Sequence, residues 1–419
     1  MGLGVLGRGA GDAEFLVQCG AKVTVTDMKP REALGESIAR LAPYDDIVYH
    51  LGGHIMSDFT ESDMIIKGAG VPLDSQYIIA ARDYGIPVYM STALFAHLVR
   101  DEGVMLIGVT GTRGKSTIAH LMQHTLAHAR RETKLGGNVR GVSTLAFLPG
   151  IQRGDTIVLE LDSWQLQGFG DVRISPHISI ISSFMPDHLN YYPDMDRYFI
   201  DKAQIFLSQK AGDFLFIDES VRDRVEALNP PVAPIIPTAI SDTWEVKIPG
   251  EHNRRNLALG AAALRAAGLS VAEVKTGIET FFGVEGRLQL VRDIRGIHVY
   301  NDNNATTPEA TIVALKSLAV ESTVLIMGGS DKGLVMDDLI AQARRCKKVI
   351  LIPGTGTERI REKMPNALRA DTLKGAVTMA LEIARPGDTL LFSPAFASFG
   401  LFKNEYERND QFLTIVRAF

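Results

Sequence analysis

The sequence has little cysteine, no excess of positive charge and no long apolar run, and each absence excludes a class of protein. Its two cysteines, Cys19 and Cys346, lie far apart and indicate buried or incidental thiols in a reducing compartment. A formal net charge of −5 argues against sequence-independent nucleic-acid binding, which needs a concentrated basic face. Neither a signal-peptide pattern nor a membrane-spanning stretch is found, so we expect a cytoplasmic protein without a membrane partner.

What the chain does have is the composition of a globular protein, with 46% hydrophobic and 22% charged residues among 419. This length is too great for one ordinary core and predicts two to four domains. Apolar runs that end in glycine or polar turns alternate with helix-like stretches, which predicts an α/β fold with mainly parallel sheets. We place three domains at 1–92, 93–284 and 285–419, the first and third Rossmann-like and the central one of the P-loop ATPase type.

The most informative segment is VMLIGVTGTRGKST at 104–117, where a strand-like run meets a glycine-rich loop and a helix-like stretch. The residues at this junction are Gly111, Thr112, Gly114, Lys115, Ser116 and Thr117. Backbone N–H groups in such a turn can hold phosphate oxygens, the lysine neutralises the outer phosphates and a hydroxyl ligates Mg²⁺. Val109 stands where the strict P-loop pattern has its first glycine, so a glycine-rich turn without special chemistry is the alternative.

The N-terminal segment GLGVLGRGAG (2–11) has the form G-x-G-x-x-G, and the strand-like AKVTVTD follows it and ends in Asp27. This spacing is typical of a Rossmann-like nucleotide-binding unit. The motif normally follows a strand, but only Met1 precedes it. The sequence therefore predicts a first domain that lacks its first strand, or a start that is misplaced or truncated.

Three residues of the predicted central domain could carry chemistry. Glu160 ends an apolar strand, where a carboxylate could hold Mg²⁺ or simply lie at the surface. His188 follows another strand in PDHLNYY (186–192), and a lone histidine is more often structural or solvent-facing. Lys202 lies in a helix-like stretch, where lysines are normally solvated. The residues alone leave these roles open.

The order of several motifs along the chain carries a resemblance to a known family. The motifs are GVTGTRGKST, LELDSWQL, the Asp-His pair of PDHLNYY, DKAQIF, GEHNRRN, GRLQ, YNDNNAT and LFSPAFASF. In this order they resemble the Mur ligases over essentially the whole chain, and most closely the glutamate-adding branch. The resemblance implies an ATP-dependent amide ligase of peptidoglycan precursor synthesis that adds D-glutamate to UDP-N-acetylmuramoyl-L-alanine through an acyl phosphate.

The resemblance also implies the residues around ATP and two Mg²⁺ ions. It assigns the phosphates and one Mg²⁺ to the 111–117 segment, with Lys115 and Ser116 as the main ligands. Glu160 and His188 become Mg²⁺ ligands. Lys202 becomes a carbamoylated lysine, an anion that can lie near Mg²⁺ where an ammonium would be repelled. The remaining nucleotide contacts that the resemblance implies are Asn253, Asn256, Arg287 on the phosphates and Asp302 on the ribose.

For the two other substrates, the resemblance implies separate sets of contacts. The UDP-substrate would contact Val5, Leu6, Gly7, Asp27, Gly70 and Asn138. The glutamate carboxylates would contact Thr306, Lys332 and Ser398. Together with these small-molecule partners, we expect a monomer that binds neither nucleic acid nor membrane.

The chain departs from the family pattern around the expected amino-acid pocket. Asn303 and Asn304 stand where the glutamate-adding enzymes usually have Ser-Lys, so an expected cation is missing. Glu405 stands at a position that is usually aromatic, and Gly286 stands where histidine is common before Arg287. An acidic residue near an acidic substrate repels it unless its side chain points away.

Two other functions remain open on the sequence. The altered Asn303–Asn304 pair leaves room for a relative that adds L-glutamate instead of the D form. A protein of another class would keep the phosphate loop but act as an NTPase-type binding or regulatory protein, or as a dinucleotide-binding enzyme. This hypothesis predicts ATP turnover without the muramoyl substrate, or nicotinamide binding. It gives Glu160, His188 and Lys202 no common role.

Overall fold

The computed structural model describes residues 1–188 and 191–419; Leu189 and Asn190 of the PDHLNYY motif lie outside the described residues. It contains two compact units, Met1–Ala239 with Asn256–Gly277 and Ile240–Arg255 with Ile278–Phe419. The three-domain division at 92 and 284 stays a prediction. Within the described part of the chain, no helix is both long and apolar enough to cross a membrane.

The beginning of the first unit alternates short strands and helices, as the glycine-turn pattern predicts. The strands are β1 (Thr24–Asp27), β2 (Val48–Leu51), β3 (Ile65–Lys67) and β4 (Val88–Met90). The helices are α1 (Arg8–Gln18), α2 (Gly35–Leu41), α3 (Ser57–Thr60), α4 (Gln76–Asp83) and α5 (Ser91–Val99), with a 3₁₀ turn at Arg31–Leu34. Strand β1 pairs in parallel with β2, and β3 pairs in parallel with β4.

The first residues of the chain lie between these two strand pairs. The Met1 nitrogen donates to the carbonyl of Ile66 over 2.8 Å, and Gly68 N donates to the carbonyl of Met1 over 2.8 Å. On the other side, Gly2 N donates to the carbonyl of Thr26 over 2.8 Å. A strand makes backbone bonds of this kind to both neighbours, so residues 1 and 2 partly fill the position where the glycine motif requires a strand.

A six-stranded parallel sheet forms the core of the first unit, in the order β10-β9-β8-β5-β7-β6. Its strands are β5 (Met105–Thr110), β6 (Thr133–Gly137), β7 (Thr156–Glu160), β8 (Ile178–Ile181), β9 (Phe214–Ile217) and β10 (Pro234–Ile235). The apolar runs predicted at 155–163 and 177–184 are β7 and β8. Ile107, Val158 and Ile180 are fully buried, as strands covered on both faces require.

One interpretation of this region is wrong in part. The proline-rich segment 229–237 is predicted to be a loop, but Pro234 and Ile235 pair in parallel with Leu215 and Phe216 of β9. Proline lacks a backbone N–H and is tolerated at a sheet edge, which is where β10 lies.

The helices of this part begin where the sequence supplies start signals. They are α6 (Lys115–His128), α7 (Ser163–Val172), α8 (Met195–Ala203), α9 (Arg222–Glu226), α10 (Glu251–Ala266) and α11 (Val271–Glu279), with 3₁₀ turns at Leu145–Gly150 and Glu219–Val221. Asp162 caps α7: its Oδ1 accepts from Gln165 N over 2.8 Å, and Asp162 N donates back to Gln165 Oε1 over 3.3 Å.

The second unit contains another six-stranded sheet, in the order β11-β12-β16-β13-β14-β15. Its strands are β11 (Gln289–Ile294), β12 (Ile297–Asn301), β13 (Thr323–Met327), β14 (Lys348–Leu351), β15 (Leu368–Arg369) and β16 (Thr389–Phe392). Its helices are α12 (Pro308–Lys316), α13 (Asp337–Ala343), α14 (Thr355–Ile360), α15 (Leu373–Ile383) and α16 (Glu405–Arg417), with 3₁₀ turns at Val320–Ser322 and Arg361–Lys363. Only the β11–β12 pair is antiparallel among the described strand pairs.

Strand β16 lies between β12 and β13, so the carboxyl ends of these three parallel strands meet at one edge of the sheet. Asp302, Gly328 and Ser393 follow the three strands directly. Ligands of open α/β sheets bind at such an edge. The α/β fold with mainly parallel sheets is confirmed, and this edge positions the candidate residues of the second unit.

We expect Gly137→Ala to destabilise the first unit by about 2–3 kcal/mol, because it adds both steric overlap and left-handed backbone strain. Gly137 has φ 86°, and a Cβ there would lie 2.1 Å from the carbonyl oxygen of Glu160. Gly150→Ala is the matched control, since no atom lies within 4 Å of its Cβ position. Urea unfolding monitored by circular dichroism measures both; equal stabilities would contradict the expectation.

Candidate active site

The glycine-rich loop between β5 and α6 has a backbone that only glycine adopts easily. Gly111 has φ 140° and Gly114 has φ 90°. A Cβ on Gly111 would lie 2.2 Å from Ser182 Oγ, and one on Gly114 would lie 2.5 Å from Asn256 Oδ1. The loop therefore packs tightly against the end of β8 and against α10. The first turn of α6 contains Lys115, Ser116 and Thr117, and its backbone N–H groups face the carboxyl edge of the sheet where phosphate would bind.

Two serines that sequence reasoning missed hold this loop in shape. Ser183 O accepts from Thr112 N over 3.0 Å, Ser183 Oγ accepts from Arg113 N over 2.9 Å, and the same hydroxyl donates to Arg113 O over 3.0 Å. Ser182 Oγ donates to Thr110 O over 3.0 Å. Both serines follow β8 directly, so the neighbouring strand fixes the conformation of the loop. The pair Ser-Ser after an apolar strand is a weak sequence signal, because such residues are common in turns.

Ser116, in the first turn of α6, and Glu160, the last residue of β7, form a buried oxygen pair. Ser116 Oγ donates to Glu160 Oε1 over 2.9 Å, and the two residues are 7% and 4% exposed. Hydroxyl and carboxylate oxygens suit Mg²⁺, which usually takes one or two carboxylates together with waters and substrate phosphates. Among the described residues no cluster of three or more His, Cys, Asp and Glu is found. The donor set thus fits a Mg²⁺ shared with phosphate better than a metal held by protein ligands alone.

Lys115 and Lys202 meet at one carbonyl oxygen. Lys115 Nζ donates to Gly111 O over 2.9 Å and to Thr112 O over 3.2 Å. Lys202 Nζ donates to the same Gly111 O over 3.2 Å, although Lys202 lies on α8. The structure therefore brings two lysines that are far apart in the sequence to one edge of the phosphate loop.

Lys202 is a buried amine rather than a solvated one. It is 1% exposed, and its Nζ lies 4.7 Å from the ring centre of Tyr198, one helical turn earlier on α8. Burial, assisted by the charge of Lys115, lowers its pKa to about 7. At neutral pH much of this amine is uncharged and can act as a nucleophile.

His188 lies in a cluster of aromatic rings beside α7 and α8. Its ring centre is 4.7 Å from that of Trp164 and 6.0 Å from that of Tyr198. The residue has φ 53°, and its backbone N donates to its neighbour Asp187 Oδ1 over 2.9 Å. Tyr198 is thus the side chain that His188 and Lys202 share as a neighbour.

The glycine motif at the chain start and the segment after β6 lie together in the first unit. Arg8, the first residue of α1, donates from NH1 to Asn138 Oδ1 over 2.9 Å. Gly141 N donates to Leu6 O over 2.9 Å, and Ser143 Oγ donates to Asp12 Oδ1 over 2.6 Å. Arg8 is not among the residues predicted from the sequence, because only the folded chain brings it into contact with Asn138.

The other residues predicted to contact the UDP-substrate differ in their surroundings. Some hold the glycine loop in place, and others have exposed side chains. Asp27 is buried, and its oxygens accept from Gly4 N over 3.0 Å and Lys29 N over 2.9 Å, so it fixes the glycine loop. Val5 is 45% exposed and Leu6 36%, as side chains available to a ligand would be. Gly7 caps α1 with φ 81°. Gly70 has no atom within 4 Å of a Cβ position, so no steric reason for glycine is found there.

In the second unit, Asp302 is buried beneath the carboxyl edge of the sheet. Its Oδ1 accepts from Leu288 N over 3.0 Å, and its Oδ2 accepts from Ser393 Oγ over 2.7 Å. Burial raises its pKa to about 7, against which the two hydrogen bonds and the charge of Arg287 act. Arg287 itself is exposed. Asn253 is buried, and its Nδ2 donates to Pro249 O over 2.7 Å.

The residues expected around the amino acid fall into two groups. Lys332 Nζ donates to Thr306 Oγ1 over 3.0 Å, which joins the loops after β13 and β12. Ser398 is buried in the loop after β16 and accepts at its carbonyl from Phe402 N over 3.2 Å. The structure therefore pairs Lys332 with Thr306 directly, while among the described residues the Ser398 side chain forms no hydrogen bond to either of them.

Comparison with known proteins now gives the family. The family model described as "Mur ligase middle domain" matches residues 109–232, and "Mur ligase, glutamate ligase domain" matches residues 286–396. A UDP-N-acetylmuramoylalanine–D-glutamate ligase from Roseiflexus sp. (strain RS-1) is 36% identical, covering 100% of this chain and 98% of that protein. The chain belongs to the Mur ligase family.

Two solved structures of Mur ligases share the fold. UDP-N-acetylmuramate-alanine ligase MurC from Thermotoga maritima matches with a TM-score of 0.62 at 18% identity, covering 100% of this chain and 98% of that one. MurF ligase from Thermotoga maritima in complex with ADP matches with a TM-score of 0.60 at 14% identity, covering 94% of each chain. At these identities the likeness supports the fold alone.

We expect the stability of the protein to fall with rising pH because of Asp302. Its pKa is about 7 in the folded protein and near 3.8 when unfolded, so between these values the folded state keeps a proton that the unfolded state has lost. Asp302→Asn removes this difference in bound protons. The free energy of unfolding of the variant should therefore fall less between pH 5 and pH 8, by more than about 1 kcal/mol. Urea unfolding of both proteins at four pH values measures this; parallel curves would show that Asp302 titrates normally.

Proposed function

We propose that this protein is an ATP-dependent amide ligase that joins D-glutamate to UDP-N-acetylmuramoyl-L-alanine in peptidoglycan precursor synthesis. The proposal is supported by family membership and by the name of the full-length relative. The observation that carries it is the association of the phosphate loop, the Ser116–Glu160 pair and the buried Lys202 at one edge of the first unit's sheet.

The chemistry consists of two displacements. An oxygen of the substrate carboxylate forms a bond to the γ-phosphorus of ATP as the bond to ADP breaks, which gives an acyl phosphate. The neutral amine of glutamate then forms a C–N bond to the activated carbonyl, loses a proton, and phosphate leaves. Both steps bring anions together, so the site has to neutralise charge.

The residues of the first unit supply that neutralisation. The N–H groups of the loop and Lys115 would bind the ATP phosphates, with Lys115 leaving the carbonyls of Gly111 and Thr112 that it contacts here. Ser116 and Glu160 would hold a Mg²⁺, which when bound offsets the phosphate charge. His188 as a ligand of a second Mg²⁺ remains a prediction, and so do the nucleotide roles of Asn256, Arg287 and Asp302.

The environment of Lys202 supports the proposal that it is carbamoylated. A neutral amine can attack CO₂, forming an N–C bond and releasing a proton, and the product is an anion. An anion beside Lys115 is favourable, whereas an ammonium there is repelled. The amine is mostly neutral above pH 7, so the carbamate is favoured at pH 8 over pH 6.

The first test of the proposal compares the two enantiomers of glutamate as substrates. We expect phosphate release with ATP, UDP-N-acetylmuramoyl-L-alanine and D-glutamate together, and none with L-glutamate. Product with the L form alone would favour the L-glutamate-adding relative instead. ATP turnover without the muramoyl substrate would support the NTPase-type alternative.

The second test addresses Lys202. We expect Lys202→Ala to abolish ligation, with formate or acetate restoring part of the activity by taking the place of the carbamate, while Lys210→Ala, an exposed lysine in the same region, keeps full activity. ¹³C NMR of the protein in ¹³C-bicarbonate should show a carbamate signal that is stronger at pH 8 than at pH 6 and absent in the variant. A folded Lys202→Ala protein that carboxylates fail to rescue, together with no signal in the unmodified protein, would exclude the carbamate.

The proposal also covers the domain boundaries, the oligomeric state and the substrate contacts. We propose domains at 1–92, 93–284 and 285–419 and a monomeric enzyme that uses neither nucleic acid nor membrane. Val5, Leu6, Gly7, Asp27, Gly70 and Asn138 are proposed for the UDP-substrate, and Thr306, Lys332 and Ser398 for glutamate.

A further inference from the structure

Asn138, which directly follows β6, is held at two points. Its backbone N donates to the carbonyl of Glu160, the last residue of β7, over 2.7 Å. Its side-chain Oδ1 accepts from NH1 of Arg8, the first residue of α1, over 2.9 Å. The first bond therefore fixes Asn138 beside the proposed Mg²⁺ ligand, and the second ties its amide to the glycine motif at the start of the chain.

The bond to Arg8 decides which way the amide of Asn138 faces. A guanidinium carries only hydrogen-bond donors, whereas a side-chain amide has an oxygen that accepts and a nitrogen that donates. If this amide were turned over, its N–H groups would meet the N–H groups of Arg8 and the hydrogen bond would be lost. The oxygen of Asn138 must therefore face Arg8, and Nδ2 must face away from it.

The Nδ2 group is the part of this side chain that a ligand can use. Asn138 is half-buried, and within the described part of the chain its Nδ2 donates no hydrogen bond. A partly desolvated donor without a protein acceptor favours a ligand that brings an acceptor oxygen. Leu6 and Gly7, proposed to contact the UDP-substrate, directly precede Arg8, and Gly141 N donates to Leu6 O over 2.9 Å. The Asn138 segment and the glycine motif therefore lie against each other.

We propose that Arg8 is a positioning residue, which holds the Asn138 amide so that Nδ2 is presented to an acceptor oxygen of the UDP-substrate. This inference deepens the proposed function and rests on it. Arg8 acts through Asn138 and need not touch the substrate itself. An amide without this partner can rotate or turn over, so the substrate has to select the donating orientation, and this selection weakens binding.

A second hydrogen bond joins the same two segments without touching Asn138. Ser143 Oγ donates to Asp12 Oδ1 over 2.6 Å and accepts from Ala146 N over 3.3 Å. The bond to Asp12 ties α1 to the segment after β6, as the bond between Arg8 and Asn138 does. Ser143→Ala is therefore the matched control, because it removes a contact between the two segments and leaves the partner of the Asn138 amide in place.

The test measures KM for UDP-N-acetylmuramoyl-L-alanine and KM for ATP in Arg8→Met, whose side chain is long but donates no hydrogen bond. We expect KM for the UDP-substrate to rise about fivefold, the scale of one lost hydrogen bond, with KM for ATP unchanged. Arg8→Lys should bring KM back to within about twofold of the unmodified value, because an ammonium also carries only donors. Ser143→Ala should leave both KM values unchanged.

The Asn138→Ala variant separates positioning from direct binding by Arg8. In a protein that carries Asn138→Ala, the further change Arg8→Met should not alter KM for the UDP-substrate, because the amide that Arg8 orients is already gone. An additional rise of about fivefold in the double variant would show that Arg8 binds the charge of the substrate itself, and this result would overturn the inference.

Asn138→Asp keeps the proposal testable if Arg8→Met is unfolded. This variant retains an oxygen for Arg8 but has no N–H, so KM for the UDP-substrate should rise as it does in Asn138→Ala. An unchanged KM in a folded Arg8→Met protein, or in Asn138→Asp if the first variant is unfolded, would show that no such donor is used. If the unmodified protein releases no phosphate with D-glutamate, the proposed function fails; if it does and only the variants fail to respond, this inference alone is wrong.

Discussion

The hydrogen bonds between the end of β8 and the phosphate loop are the constraint on which the first unit's site depends. Directly after β8, Ser182 donates to the carbonyl of Thr110, and Ser183 bonds to the backbone of Thr112 and Arg113. Once that backbone is fixed, the carbonyl of Gly111 has one position, and both lysines converge on it. The side chains of Lys115 on α6 and Lys202 on α8 therefore converge on a loop that two adjacent serines hold in place.

The burial of Lys202 is a second result of this arrangement. An amine on an amphipathic helix would ordinarily extend into water, since hydration of an ammonium is strongly favourable. Here the phosphate loop on one side and Tyr198 on the other leave it enclosed. The site thus contains an amine whose pKa is lowered because packing excludes water from it, and the proposed carbamate is consistent with that environment.

The sequence alone predicts the parts of this protein that depend on local pattern. β-branched runs predict β7 and β8, and the long alanine-rich segment predicts α10, because burial on both sheet faces and helix propensity leave direct traces in composition. The glycines at 111 and 114 likewise follow from backbone conformation. Family resemblance then directs attention to Lys202, which chemistry alone would not single out.

The sequence does not predict contacts between residues that are far apart in the chain. Arg8 with Asn138, Ser183 with Arg113, and Arg408 with Asn303 each join residues far apart in the chain. None has a distinctive local motif, because arginine, serine and asparagine are common in exposed turns. The pairing of Pro234 with β9 was missed for a related reason: a sheet edge tolerates a proline that its interior would reject.

The close approach of Asn304 to Gly286 links the residue types that these two positions can hold. Gly286 has φ 72°, and a Cβ there would lie 3.0 Å from Asn304 Oδ1 and 3.1 Å from its Nδ2. A side chain at 286 and the present orientation of Asn304 thus compete for one space. A larger residue at 286 would have to displace the Asn304 side chain and would also adopt a strained positive φ. The two positions are therefore sterically coupled, so the effects of substitutions at 286 and 304 should not be additive.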